Sequence, residues 1–254
     1  GFGHGRGLSQ YGAYGWATTA GWSWEQIIDF YYGGATGNAR STLEAPNQEM
    51  STWLSLLNAK QTGVVSDSGT MRLLEDPDQA RRFTSMVARE KSGAERVYQV
   101  WGSSERKCLG ETDVPEASGF VLLGEFNGQA SFLTNASQDP AGAALEMVGL
   151  CEPKANGFNQ VRYYRGLIRA MNNAKNENRT INVAQLNDYL RGVVPRESPA
   201  SWGDAAGGAG MNALRAQAVA ARSYSVTENR YAGLAKTCDT QDCQVYGGAA
   251  LRTS

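Results

Sequence analysis

The sequence predicts an α+β fold, a mixed sheet-and-helix core with a small β-rich domain inserted into it. Three observations carry that prediction. The N-terminal stretch holds a capped helical stripe, the middle of the chain reads as short strands between polar turns, and the last third passes from strand patterning to two helical stripes.

Residues 1–40 open GFGHGRGLSQYGAYGW, with Gly1, Gly3, Gly5 and Gly7 alternating with Phe2, His4, Arg6 and Leu8. As an extended strand, this period of two leaves one face bare, which suits the close approach of a ligand or another backbone. The spacing does not fit a dinucleotide-binding G-x-G-x-x-G, and no β-branched strand precedes it. Further on, Ser23 and Gln26 form a capping box. Trp24, Ile27, Ile28 and Tyr31 then recur at helical spacing before Gly33-Gly34 stops the helix. Residues 41–160 predict strands at Met71–Glu75, Arg96–Trp101, Phe120–Phe126 and Ala130–Thr134, and form the expected inserted domain. Residues 161–254 predict one strand over Val161–Arg169 and a second at Thr180–Val183. A helix follows through Leu186, Tyr189, Leu190 and Val193, and an alanine-rich helix over Met211–Val226. These residues are expected to be the catalytic core, truncated at its C-terminal end, with residues 1–40 belonging to it.

Composition narrows the classes. In 254 residues, 41% are hydrophobic and 19% charged, with a net charge of −1, so there is no basic surplus for nucleic acid. Apolar runs such as residues 119–124 are too short to span a bilayer. The chain has no initiator Met, which is expected of a processed terminus or of a cut in a longer chain. Four cysteines suggest the pairs Cys108 with Cys151 and Cys238 with Cys243, which would place the protein in an oxidising compartment. Other connectivities and reduced thiols stay open. His4 is the only histidine, so no four-ligand zinc set is expected, nor any cofactor.

The chemistry concentrates at Glu197, set between Pro195 and Pro199 with Trp202 close by. Prolines stiffen a loop, and apolar neighbours raise a carboxyl pKa, as a general acid for a glycosidic oxygen requires. The alternative is a surface glutamate paired with Arg196.

Four blocks around this residue resemble the stage II sporulation protein D family. They are Asp188-Tyr-Leu-Arg-Gly-Val-Val-Pro-Arg-Glu-Ser-Pro, Ala213-Leu-Arg-Ala-Gln-Ala-Val-Ala-Ala-Arg-Ser-Tyr, Cys238-Asp-Thr-x-x-Cys-Gln-Val-Tyr-Gly-Gly, and Gly3-His-Gly-Arg-Gly-Leu-Ser-Gln-Tyr-Gly-Ala. The resemblance covers residues 1–34 and about 161–250. It implies a bacterial lytic transglycosylase acting on peptidoglycan glycan strands, with Glu197 as acid and then base. In that reaction the muramyl 6-hydroxyl closes onto C1, so one carboxyl suffices where a hydrolase needs two. The neighbouring carboxylates Asp188 and Asp204 have no evident role as its partner. His4, Ser9, Gln10, Tyr11, Gln217, Arg222 and Tyr224 are expected to line the cleft, with His4 equally suited to a structural role. The alternative is a helix packed by its alanines with its polar residues satisfying nearby loops, which suits Arg222 better than Gln217; Arg222 stabilising the Glu197 carboxylate would work against the acid role.

Two departures from the family pattern stand out. The glycine-histidine block usually follows the glutamate block, and here it leads. The family also continues beyond Leu251-Arg-Thr-Ser. Some members carry a histidine-cysteine metal cluster, which this sequence does not reproduce. The expected substrate is peptidoglycan glycan strands, including strands stripped of stem peptides, in the extracytoplasmic cell wall. Anchoring there would need a segment outside this chain. A second reading is a non-catalytic wall-binding module that enhances a partner amidase, as related family members do. A third is a water-using glycosidase, which would leave reducing ends.

Overall fold

The computed structural model describes residues 7–33, 47–54, 60–153 and 159–253. Helices α1 (Gln10–Thr19) and α2 (Trp24–Tyr32) follow one another across a short turn. The predicted capping box of α2 is complete: Ser23 Oγ accepts from Gln26 N, Gln26 Oε1 accepts from Ser23 N, and Gly33 caps the far end. Helix α1 was not expected: it begins at Gln10, past the glycine stretch, because Ser9 Oγ accepts from Gly12 N at 3.1 Å and Ala13 and Ala17 bury a small-residue face. Gly12 serves packing between the helices, since a Cβ there would fall 1.9 Å from Tyr31 Oη. Residues 1–6, with His4 and the first three glycines, lie outside the described residues.

Two sheets follow. The first has the order β12-β1-β11-β10-β7-β3, with β1 at Glu49–Trp53, β3 at Arg72–Leu73, β7 at Gln129–Leu133, β10 at Leu167–Asn172, β11 at Asn178–Gln185 and β12 at Thr237–Cys238. The second runs β13-β9-β8-β2-β4-β5-β6, with β2 at Gln61–Val65, β4 at Ser85–Glu90, β5 at Val97–Ser103, β6 at Val121–Asn127, β8 at Val148–Pro153, β9 at Asn159–Tyr164 and β13 at Ala250–Thr253. Short helix α3 (Asn135–Gln138) follows β7. Strands from residues 41–160 and from residues 161–254 share both sheets, and β8 and β9, on either side of residue 160, are paired neighbours. The boundary expected at residue 160 is therefore not a boundary between sheets.

The single strand expected over Val161–Arg169 is two strands, β9 and β10, lying in different sheets. The break falls at Gly166, with φ +77°, where a Cβ would sit 1.9 Å from Val183 O. Gly166→Ala is expected to cost at least about 1–3 kcal/mol from the left-handed backbone alone. Urea unfolding checks it, and an unchanged midpoint would contradict this account of the turn.

Between the sheets, Met50, Val64, Met86, Tyr98, Val100, Phe132 and Ile168 form one buried cluster. The inward face of β11 is polar and fully engaged. Asn178 accepts from Tyr98 Oη at 3.0 Å, the Thr180 and Thr62 hydroxyls pair at 2.9 Å, and Asn182 accepts from Tyr246 Oη at 2.7 Å. Buried polar groups paired in this way set the register of the two sheets.

Helix α4 (Leu186–Glu197) leaves β11 directly and extends the same core through Leu186, Tyr189, Leu190 and Val193. A 3-10 helix at Ala200–Gly208 leads into α5 (Met211–Thr227). Helix α5 packs on α1 and α2 through Ala213 and Ala216, and on the main core through Ala221. The two expected cysteine pairs are present as disulfides, Cys108–Cys151 and Cys238–Cys243, with Cα–Cα distances of 5.8 and 5.5 Å.

Candidate active site

Glu197 is the last residue of α4 rather than a residue of a loop. The helix carries Pro195 in its final turn, and Ser198 N closes it on Val194 O at 2.9 Å. The side chain is half-buried and held from two sides. Gln10 Nε2, at the first turn of α1, donates to Oε2 at 2.9 Å. The backbone N–H of Val245 donates to Oε1 at 3.2 Å. Each carboxylate oxygen accepts one bond, leaving lone pairs on both for a proton and a ligand.

The Val245 N–H is placed by a chain of contacts behind it. The Cys238–Cys243 disulfide closes the loop just before it. Gln244 Oε1 accepts from Ser225 Oγ of α5 at 2.9 Å and from Tyr189 Oη of α4 at 3.4 Å. Tyr246 is buried, with its ring 4.8 Å from that of Tyr189, and Gly247 N donates to Gly192 O at 3.1 Å. Burial pushes the Tyr189 hydroxyl well above its ordinary pKa, and the Glu197 charge adds to that. Burial does the same to Tyr246. Both phenols therefore stay protonated as donors at neutral pH.

Trp202 of the 3-10 helix lies 4.6 Å from the Tyr14 ring and 5.2 Å, in a T-shaped contact, from the Tyr11 ring. The N-terminal block thus reaches the glutamate through Gln10, while Tyr11 and Tyr14 meet Trp202. Ser9 is instead occupied as the helix cap of α1.

Two further expectations are corrected. Arg222 donates to Asn187 Oδ1 at 2.7 Å, at the opposite end of α4 from Glu197. That end lies about 15 Å along the helix axis, so Arg222 is not the partner of the carboxylate. Tyr224 turns to Glu228, one turn on. Burial first and Glu228 second raise its hydroxyl to about 12, while Glu228 itself is lowered, its bonds to Tyr224 and to nearby backbone N–H groups and the Arg230 charge outweighing its burial. Gln217 lies buried on α5. Arg196 lies over Gly247 and forms no ion pair with Glu197 among the described residues. Asp188 is bound by Arg191 at 3.1 Å and Arg165 at 3.8 Å, and Asp204 is exposed. No group of three metal-ligating side chains occurs among the described residues. No helix among them is long and apolar enough to cross a membrane.

Sequence reasoning missed the Val245 N–H and the Gln244–Ser225–Tyr189 contacts. The only signal available was the compact Cys-Gln-Val-Tyr-Gly-Gly block that contains two of them.

Residues 174–254 match the family model described as stage II sporulation protein. The match covers about a third of the chain. The family segment contains Glu197, α5 and the Cys238–Cys243 loop, whereas α1 lies outside it. The amidase enhancer of Bacillus subtilis (strain 168) is 48% identical over 59 residues, which are 23% of this chain and 7% of that relative. The aligned stretch is thus a small part of the relative's length. No solved structure matches the chain.

Removing the disulfide beside the site isolates its positioning role. The double change Cys238→Ser and Cys243→Ser is expected to lower stability by about 2 kcal/mol, because the loop it closes is short. It also loosens the Val245 contact to Glu197, worth about 1 kcal/mol, and on the catalytic reading of Glu197 proposed below this is roughly a fivefold fall in kcat. Turnover of the serine variant against the parent checks this, and an unchanged kcat would sink the positioning role.

Proposed function

We propose that the chain is a lytic transglycosylase that cuts the MurNAc–GlcNAc bond of peptidoglycan glycan strands without water, acting in the extracytoplasmic cell wall. The observation that carries this reading is a half-buried Glu197 held by one donor on each oxygen, Gln10 Nε2 and the Val245 N–H. Its nearest sequence neighbours among the carboxylates offer no paired partner, since Asp188 is bound by two arginines and Asp204 is exposed.

In this reading, protonated Glu197 gives its proton to the glycosidic oxygen as the bond to C1 breaks, and the GlcNAc-bearing alcohol leaves. The carboxylate then takes the proton of the muramyl 6-hydroxyl as that oxygen bonds to C1, which forms the 1,6-anhydro ring and restores the acid. The two donors fix the orientation of the carboxyl through both steps. Two disulfides suit an exported protein.

Mass spectrometry of glycan strands, with and without stem peptides, tests the reading. Anhydro-muramyl ends are the expected product, and reducing ends would replace the reading with a hydrolase. The similarity to an amidase enhancer favours a second reading, a wall-binding module that stimulates a partner amidase. In that case the strands are bound and left uncut, and the amidase is accelerated.

A further inference from the structure

A pocket of about 280 Å³ lies where the turn before β5, the β10–β11 hairpin and the loop after α5 come together. Arg96, Met171, Asn173, Ala174, Gly233 and Leu234 are among its walls, and none of them touches Glu197. Met171 and Leu234 are half-buried against the apolar cluster of Ile181 and Val183. Beside the pocket meet two of the three non-glycine residues with left-handed backbone among the described residues, Arg96 at φ +59° and Asn176 at φ +58°. That conformation is costly for an arginine, whereas glycine adopts it freely. Arg96 is held in it from several sides. Its N–H donates to Glu90 Oε1 at 3.0 Å, its carbonyl accepts from Gly128 N at 2.6 Å, and its Nε donates to Asn176 Oδ1 at 3.1 Å. Asn176 Nδ2 in turn donates to Glu95 Oε2 at 2.7 Å. Residues strained and fixed in this way cluster where ligands are held.

The neighbouring polar side chains are engaged with one another. The Asn172 amide donates to Glu90 and to Asn176 O and accepts from Tyr98 Oη, and the Asn173 amide donates to Glu177 and accepts from two backbone N–H groups. Glu177 also pairs with Arg179 at 2.5 Å. The two Nη atoms of Arg96 make no hydrogen bond among the described residues, so the end of its guanidinium is the side-chain donor left for a ligand. We propose that this pocket binds a small carboxylate whose α-carbon carries a methyl or similar apolar group. The two Nη atoms form an end-on fork that matches the two carboxylate oxygens. Met171 and Leu234 offer apolar surface to the substituent. With Nε tied to Asn176 the guanidinium is already oriented, so little freedom is lost on binding. This chemistry ends a peptide in alanine, and it is also the lactyl group of muramic acid freed of its peptide. Neither the pocket nor its chemistry depends on the role of Glu197.

The test is a proton–nitrogen NMR titration of the whole chain with N-acetyl-alanyl-alanine, with the C-terminal amide of that peptide, and with N-acetylmuramic acid. A carboxylate is expected to shift the backbone amides of Gly128, Ala174 and Gly233 saturably, and the peptide amide to bind about tenfold more weakly or less. Saturable shifts with the peptide acid, with muramic acid or with both support the site, and the one that binds more tightly names the source. Arg96→Gly takes the left-handed backbone without strain, so its urea midpoint is expected to hold or rise while carboxylate binding falls about tenfold. Arg96→Lys keeps the charge but loses the fork, and is expected to bind about fivefold more weakly than the parent. No saturable shift with either carboxylate, equal binding of the peptide acid and its amide, or parent-like binding by folded Arg96→Gly overturns the site.

Discussion

Glu197→Gln is expected to lower the formation of anhydro-muramyl ends by about 10²–10⁴-fold, the usual contribution of a positioned acid or base. The amide keeps the size of the carboxyl and can still accept the Val245 N–H bond through its oxygen, so the fold is expected to hold. It has no proton to give to a glycosidic oxygen and cannot take one from a hydroxyl. The loss should therefore fall on kcat, with the affinity for glycan changing little. An Asp at this position is a sharper probe, because it keeps the acid but draws it back from Gln10 and Val245. Partial activity in Glu197→Asp, between the parent and the Gln variant, would show that placement counts as well as charge. Initial rates of anhydro-end release by the three chains provide the comparison.

Tyr246→Ala should have the largest effect on stability, about 3–5 kcal/mol, as for other buried aromatic truncations. The ring lies between Tyr164 at 5.9 Å and Tyr189 at 4.8 Å, and its hydroxyl donates to the buried Asn182 at 2.7 Å. Truncation opens a cavity at the junction of both sheets with α4 and leaves Asn182 without its donor. Tyr246→Phe separates the two terms, because it removes only the hydroxyl and is expected to cost about 1–3 kcal/mol. Urea midpoints of the two variants check both values. Tyr246 also follows Val245, so the alanine variant should lose turnover in conditions where it is still folded. Full turnover in folded Tyr246→Ala would contradict the part assigned to the Gln244–Gly247 segment in holding Glu197.

Local features of the fold were legible in the sequence because local chemistry decides them. The Ser23–Gln26 box starts α2, the apolar stripe from Leu186 to Val193 gives α4, and both cysteine pairs are as expected. Helix α1 was hidden because alternating glycines read as strand up to the point where the Ser9 cap takes over. The break at Gly166 was hidden because Val161–Arg169 is apolar and β-branched enough for one strand. Only the approach of Val183 O shows why a glycine must turn there. The spacing on α5 does not say which end of α4 Arg222 meets, and the structure puts it at the Asn187 end. Glu197 itself was legible from its prolines and its block. Its two donors were not, since one is a backbone N–H and the other lies 187 residues away in sequence.

The most direct test of the central claim is cleavage of purified glycan strands in heavy-oxygen water, with the products read by mass spectrometry. If Glu197 works without water, the new ends are 1,6-anhydro rings carrying no solvent oxygen, and Glu197→Gln forms almost none of them. Reducing ends that carry the heavy oxygen would contradict the account and assign the site to a hydrolase.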